Sequence, residues 1–316
     1  MTPPDPGKTP RIRLHPIGVE HTIMREKLRA FAPMLIVLIG ALILFYPSIS
    51  NYTVMRNASR AVATYDDTTA RLTAEQRAQL LAAARDYNTR LAESGVQASP
   101  ADATGGGRGA AEEYETLLNP NGDGMMGHIT IPRLKETLPI YHGTSEPVLQ
   151  VGVGHLPDSS LPVGGPGTHA ALSGHRGLPS ARLFTDLNKM KVGDLFYIRV
   201  LDQTLAYKVT SIETVLPNET ESLAIQPGKD LVTLITCTPY GINSHRLLVH
   251  AERTDYVPTE DELKVDNPIF NIPLPYLLLI IAVFALALVF AIMTIVRRRQ
   301  TVRGQGGQPK HERAQE

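Results

Sequence analysis

Leu231-Val232-Thr233-Leu234-Ile235-Thr236-Cys237-Thr238-Pro239-Tyr240-Gly241 is the stretch from which the fold is read. Its first six residues are branched aliphatics and threonine, the composition of a buried strand. Pro239 and Gly241 then require a turn. The run delivers a thiol, Cys237, to a strand end where a side chain can face a cleft. Cys237 is the only cysteine in 316 residues, so an intramolecular disulfide, a cysteine zinc site and an iron–sulfur cluster are all excluded. No cofactor and no metal are expected. Asn121-Gly122-Asp123-Gly124 lacks the later ligand positions of a calcium loop and reads as a turn.

Working outward, His128–Ile131, Leu195–Leu201, Thr204–Val215 and Arg246–Ala251 have the same short, β-branched or alternating character, punctuated by glycine and proline. They predict one all-β domain over residues 114–252, a sandwich or a barrel. Upstream, residues 53–94 read as helical. Thr73-Ala74-Glu75-Gln76 has a capping-box pattern, Leu80, Ala84, Tyr87 and Leu91 fall on one face, and Gly95 is a stop. The glycines of 95–111 predict a flexible loop, which closes a helical segment of 51–113. Residues 253–273, with Asp255, Pro258, Glu260, Asp261 and Glu262, read as a tether.

Two apolar runs bracket this exported part. Tyr276–Val296 has 21 residues without a charge, a helix of about 31 Å that matches the hydrocarbon core of a bilayer. It gives an expected span over 274–296, with a basic tail, 297–316, behind it. The run Met34–Tyr46 predicts a second span over 31–50, an uncleaved anchor rather than a signal-peptide core, because the region before it is long. Residues 1–30 carry +3, 297–316 carry +4 and 51–271 carry −7, within a chain of 31 basic and 31 acidic residues. By the positive-inside bias both termini are cytoplasmic and the middle is extracellular, a two-pass protein of the cell membrane. With no overall basic excess, nucleic acid is not an expected partner.

A lone thiol outside the cell is either an inert small apolar residue or a nucleophile. A nucleophile needs a group that favours its thiolate. Of the histidines in the exported part, His175 has the most informative setting, Leu172-Ser173-Gly174-His175-Arg176-Gly177, a strand running into a glycine-flanked turn. His128 reads as structural, and His142, His155, His169, His245 and His250 as surface or core residues. Arg246 follows Cys237 by nine residues, and a strand–turn–strand of that length can bring both to one end of a sheet. Cys237, His175 and Arg246 form a coherent acyl-transfer set, although no spacing among them is diagnostic alone. A membrane-tethered binding domain with an inert thiol and a hydrolytic cysteine protease stay open at this point.

At these residues the chain resembles the sortases, and among them the class C, pilus-assembling ones. Thr233-Leu234-Ile235-Thr236-Cys237 matches the family's Thr-Leu-x-Thr-Cys signature, and the match runs on to Val249. Leu172–Pro179, Leu161–Gly165 and Leu138–Thr144 look like further family segments. The resemblance implies a sortase-type β-barrel with short helices, preceded by a helical segment and flanked by two transmembrane helices. It implies Cys237 as nucleophile, His175 as general acid/base, Arg246 as holder of the substrate carbonyl or oxyanion, and Thr236 as a substrate-binding residue. The implied substrate is an LPXTG-like sorting signal on a pilin or surface protein. The implied acceptor is an amine, a pilin lysine or, in a housekeeping sortase, the cell-wall peptide. One departure stands out: the Asp-Pro-aromatic motif of class C lids is missing from 95–111, which predicts an open or loosely covered cleft.

Overall fold

A computed structural model describes residues 17–104 and 112–257, with scattered residues between 274 and 293. The chain divides into two compact units, one of residues 1–45 and 274–316 and one of residues 46–273. Most of the second expected span lies outside the described residues. An apolar helical stretch, Ile281–Phe290, falls within it.

Helix α1 spans Ile17–Arg71. Over Leu38–Arg71 it is long and apolar enough to cross a membrane by length and composition, and Leu35, Ile36, Leu42, Ile43 and Leu44 are exposed. Helix α2, Ala74–Ser94, starts at the capping box: the Thr73 hydroxyl accepts from Gln76 N at 3.2 Å and Thr73 N donates to Gln76 Oε1 at 2.8 Å. Gly95 ends it in the left-handed region. Its buried residues are Leu81, Ala84, Asn88 and Leu91, with Leu80 and Tyr87 packed at the edge, so the apolar stripe is wider than the expected one. Asn88 is buried because its amide matches a backbone pair, donating to Leu161 O and accepting from Leu161 N.

Eight strands follow: β1 (Met125–Ile131), β2 (Glu136–His142), β3 (Val153–His155), β4 (Thr168–Ser173), β5 (Leu195–Val200), β6 (Gln203–Val215), β7 (Asp230–Thr238) and β8 (His245–Thr254). They close into a barrel in the order β1-β2-β3-β4-β7-β8-β6-β5, with β1 and β5 paired antiparallel from His128 to Thr130. The pairs β2–β3 and β4–β7 are parallel and the rest antiparallel. Strands β2 and β3 had no separate signal in the sequence: Pro139 interrupts one, and the other is three residues long with a glycine at its centre.

Alternation sorts the side chains. Ile129, Leu138, Leu172, Val232, Leu234 and Val249 fill the barrel core. The opposite face of β4, β7 and β8 is also buried, for Ala171, Ile235 and Leu248 pack with Leu156, Val215, Leu223, Ala98 and Ala103 in a second cluster. Burial on both faces is why β7 shows branched aliphatics and threonine without a polar alternation.

Candidate active site

The parallel register of β4 and β7 builds the site. Ser173 lies opposite Ile235, and Gly174 N donates to Ile235 O at 3.1 Å, carrying the ladder one residue past the strand. His175 therefore arrives level with Cys237, at the carboxyl end of β7. On the other side β8 runs antiparallel, and Cys237 is the register partner of Arg246. Directly opposed residues share a face with Cβ atoms about 4.5–5.5 Å apart. Three neighbouring strands thus bring together the three residues predicted from the sequence.

The glycines beside His175 have steric reasons. A Cβ at Gly174 would stand 2.7 Å from the Phe184 ring, and Gly177 sits at φ +86° with Tyr240 of the β7–β8 turn against it. The loop is closed by Phe184 N donating to His175 O at 3.1 Å and by Arg176 donating to the Thr238 hydroxyl at 3.0 Å. Sequence reasoning missed one neighbour of His175. Glu146, at the start of a short helix (Glu146–Leu149), places Oε2 3.3 Å from His175 Nε2. A carboxylate only accepts, so Nε2 carries the proton in that contact. Gln150 orients Glu146 by donating to its other oxygen at 2.6 Å. Nothing in Ser145-Glu146-Pro147 signals this contact, which joins residues 29 apart.

Cys237 is 7% exposed. Burial pushes its thiol above the ordinary value, and the Arg246 guanidinium opposes that shift. The thiol is thus largely covered, contrary to the expected open cleft, and the segment before the barrel is anchored on its neighbours Arg246 and Ser173. Pro100–Thr104 forms a 3-10 turn and is fixed through its backbone carbonyls. Pro100 O accepts from Arg246 Nε at 3.2 Å, and Ala103 O accepts from the Ser173 hydroxyl at 2.6 Å. Asp102 O accepts from Thr144, while Ala98 and Ala103 are buried in the outer cluster. Carbonyls and alanines do the holding, so the missing aromatic motif did not mean a missing cover. The glycines 105–107 and 109 lie outside the described residues.

The family model described as the sortase domain matches residues 129–254. The crystal structure of sortase C1 from Streptococcus agalactiae is 42% identical, with a TM-score of 0.58 over 63% of this chain and 100% of that one. The chain belongs to the sortase family. Sortase C-1 from Actinomyces oris is 47% identical, with a TM-score of 0.53 over 57% of this chain and 99% of that one, so these solved neighbours of the chain are C-type sortases. Among curated proteins, sortase A of Streptococcus agalactiae is 34% identical over 143 residues, 44% of this chain. The matches to four sortase A proteins span 57–65% of those proteins' own length.

Thr236 is placed differently from its expectation as a substrate-binding residue. It is 1% exposed, on the barrel side of β7, and its hydroxyl donates to Gly174 O at 2.7 Å. It ties the end of β4 to β7 from the barrel side instead of facing a groove. The remaining buried histidines are committed to structure. His155 donates from Nε2 to Ser160 O and meets the Tyr114 hydroxyl at Nδ1. His169 and His250 flank the Thr233 hydroxyl at 2.7 and 2.8 Å, and His250 donates to Glu213 at 3.0 Å. Burial lowers His128, His155 and His169 to about 4, so they stay neutral near pH 7. Among the described residues no cluster of three or more histidine, cysteine or acidic side chains surrounds a common metal position.

Proposed function

We propose that the chain is a membrane-anchored cysteine transpeptidase that cleaves an LPXTG-like sorting signal between Thr and Gly and passes the acyl group to an amine. The observation that carries this reading is the register pairing of Cys237 with Arg246, with His175 level with Cys237 two residues past the end of β4. The Cys237 thiolate attacks the Thr carbonyl carbon, and the Arg246 guanidinium stabilises the charge that gathers on its oxygen. His175 gives a proton to the departing glycine amine as the thioester forms. An incoming lysine amine then loses a proton to His175 and attacks the thioester, releasing Cys237 as thiolate. Burial of Cys237 supports transfer over hydrolysis, because a covered thioester meets water less often.

The acceptor we assign is a lysine of a pilin subunit. The C-type neighbours support this, being 42 and 47% identical where sortase A is 34% identical. We place the catalytic unit outside the cell, held by an uncleaved anchor over 31–50 and a second span over 274–296. The basic flanks and the exposed apolar stretch of α1 support that placement.

The test incubates the detergent-solubilised full chain with an LPXTG-type peptide and a lysine-bearing peptide and follows products and protein by mass spectrometry. The expected result is scission between Thr and Gly, a thioester on Cys237 and an amine-capped product, all lost in Cys237→Ala and His175→Ala. Cleavage with water as the only acceptor would make the chain a protease. Peptide binding without a thioester would make it a tethered binding domain.

A further inference from the structure

Although residues 51–271 sum to −7, basic side chains gather at one end of the barrel. Two 3-10 turns meet there, Pro132–Leu134 between β1 and β2 and Leu187–Lys189 between β4 and β5. Arg133 joins them, donating from Nε to Lys189 O at 3.3 Å and lying 3.6 Å from Asp194. Arg133, Lys135, Arg182, Lys189 and Lys191 are all exposed on this surface, and Val192 beside them is 65% exposed. The facing carboxylates are Asp186, shared by Arg182 and Lys189, then Asp194, and the buried Glu136, whose carboxyl burial raises to about 7 against the pull of Arg182. Lys135 and Lys191 have no ion-pair partner among the described residues.

The same end receives the chain as it enters the catalytic unit. Asn51 Oδ1 accepts from Arg182 N at 2.8 Å, and Val54 and Met55 pack on the barrel core. No residue from Ala30 to Met55 is charged. Asn51 is the first residue after the expected anchor over 31–50. A bilayer that holds the apolar run therefore ends close to the basic turns, and anionic headgroups attract lysine and arginine within a Debye length.

We propose that this basic end of the barrel rests on an anionic bilayer surface, with Lys135, Lys189, Lys191 and Arg182 against lipid phosphates and Val192 at the headgroup level. The inference rests on the membrane-anchor reading of the N-terminal run. His175 precedes Arg182 in the same loop, so the reaction takes place at the lipid surface and not at a stalk's length above it.

The full chain carrying Cys237→Ala has no other cysteine, so a single label can be placed at will. A fluorophore on Asn188→Cys reports the basic end. One on Lys229→Cys reports the start of β7, eight residues from Cys237 and so on the order of 26 Å away along the strand. Each chain is put into nanodiscs of phosphatidylcholine alone or with phosphatidylglycerol, together with a headgroup-quenching lipid. The expected result is quenching at 188 several-fold greater than at 229, stronger with phosphatidylglycerol. Raised salt, and Lys135→Glu, Lys189→Glu and Lys191→Glu combined, should cut it at least twofold without a change in melting temperature. Equal quenching at both positions, or quenching at 188 that ignores lipid charge and the reversed lysines, would overturn the proposal while leaving the anchor intact. Release of the chain from the discs by alkaline wash would overturn both.

Discussion

Cys237 is opposed by two forces of different range. Burial favours the neutral thiol, while the guanidinium paired with it across β7 and β8 favours the thiolate. The thiol's folded pKa lies above its ordinary value, so the folded chain keeps the proton to higher pH and alkylation rises late in a pH series. Arg246→Gln removes the opposing cation and should move the midpoint of iodoacetamide alkylation upward. The midpoint is the quantity to read, because Arg246 also holds Pro100 and its loss alters access. A midpoint that stays in place or falls would refute the pairing as an electrostatic one. The placement of Cys237, His175 and Arg246 at strand ends was legible because Cys237 and Arg246 border a turn between two strand-like runs and glycines flank His175. Thr236 faces away from its sequence neighbour Cys237, because adjacent strand residues point opposite ways; its parity with Val232 and Leu234 assigns it to the barrel side. Glu146 left no trace in sequence, since a contact made by one carboxylate tip has no periodicity.

Among the elements, the cover over the site and the short strands were the least legible. The capping box and Gly95 fixed both ends of α2 because each is a local backbone rule. The segment 98–104 follows no such rule. It is held by three carbonyls, which every residue possesses, and by alanines small enough to enter the outer cluster. Replacing residues 98–104 by a Gly/Ser linker of equal length should raise the alkylation rate of Cys237 on the order of tenfold or more, since three hydrogen bonds at about 1 kcal/mol each would vanish together. An unchanged rate would mean that the thiol is buried by the barrel alone. No aromatic or long aliphatic side chain in this segment closes it, so a search for a lid by motif passes over it.

At the scale of the molecule, a buried phenol helps to tie α1 to the barrel. The Tyr65 hydroxyl donates to Met126 O at 2.6 Å and accepts from Leu201 N at 2.9 Å, all three groups being buried. Tyr65→Phe strands a carbonyl and an N–H together, at a cost of roughly 2–3 kcal/mol. The melting temperature should fall by about 4–10 °C, with the α1–barrel contact the first to lose hydrogen-exchange protection. A melt within a degree of the parent would show that water replaces the hydroxyl. The all-β class and the order of helix before strands were legible from patterning. Barrel closure was not, because it depends on β1 meeting β5 across about 70 residues of sequence.

That closing pair matters beyond stability. A protein confined to the plane of a membrane meets copies of itself far more often than the same number of molecules free in solution. An open sheet would then present unpaired N–H and C=O groups to its neighbours as templates for strand exchange and fibre growth. With β1 hydrogen-bonded to β5 the sheet has no edge to offer, and the catalytic units can crowd together without knitting into a common sheet.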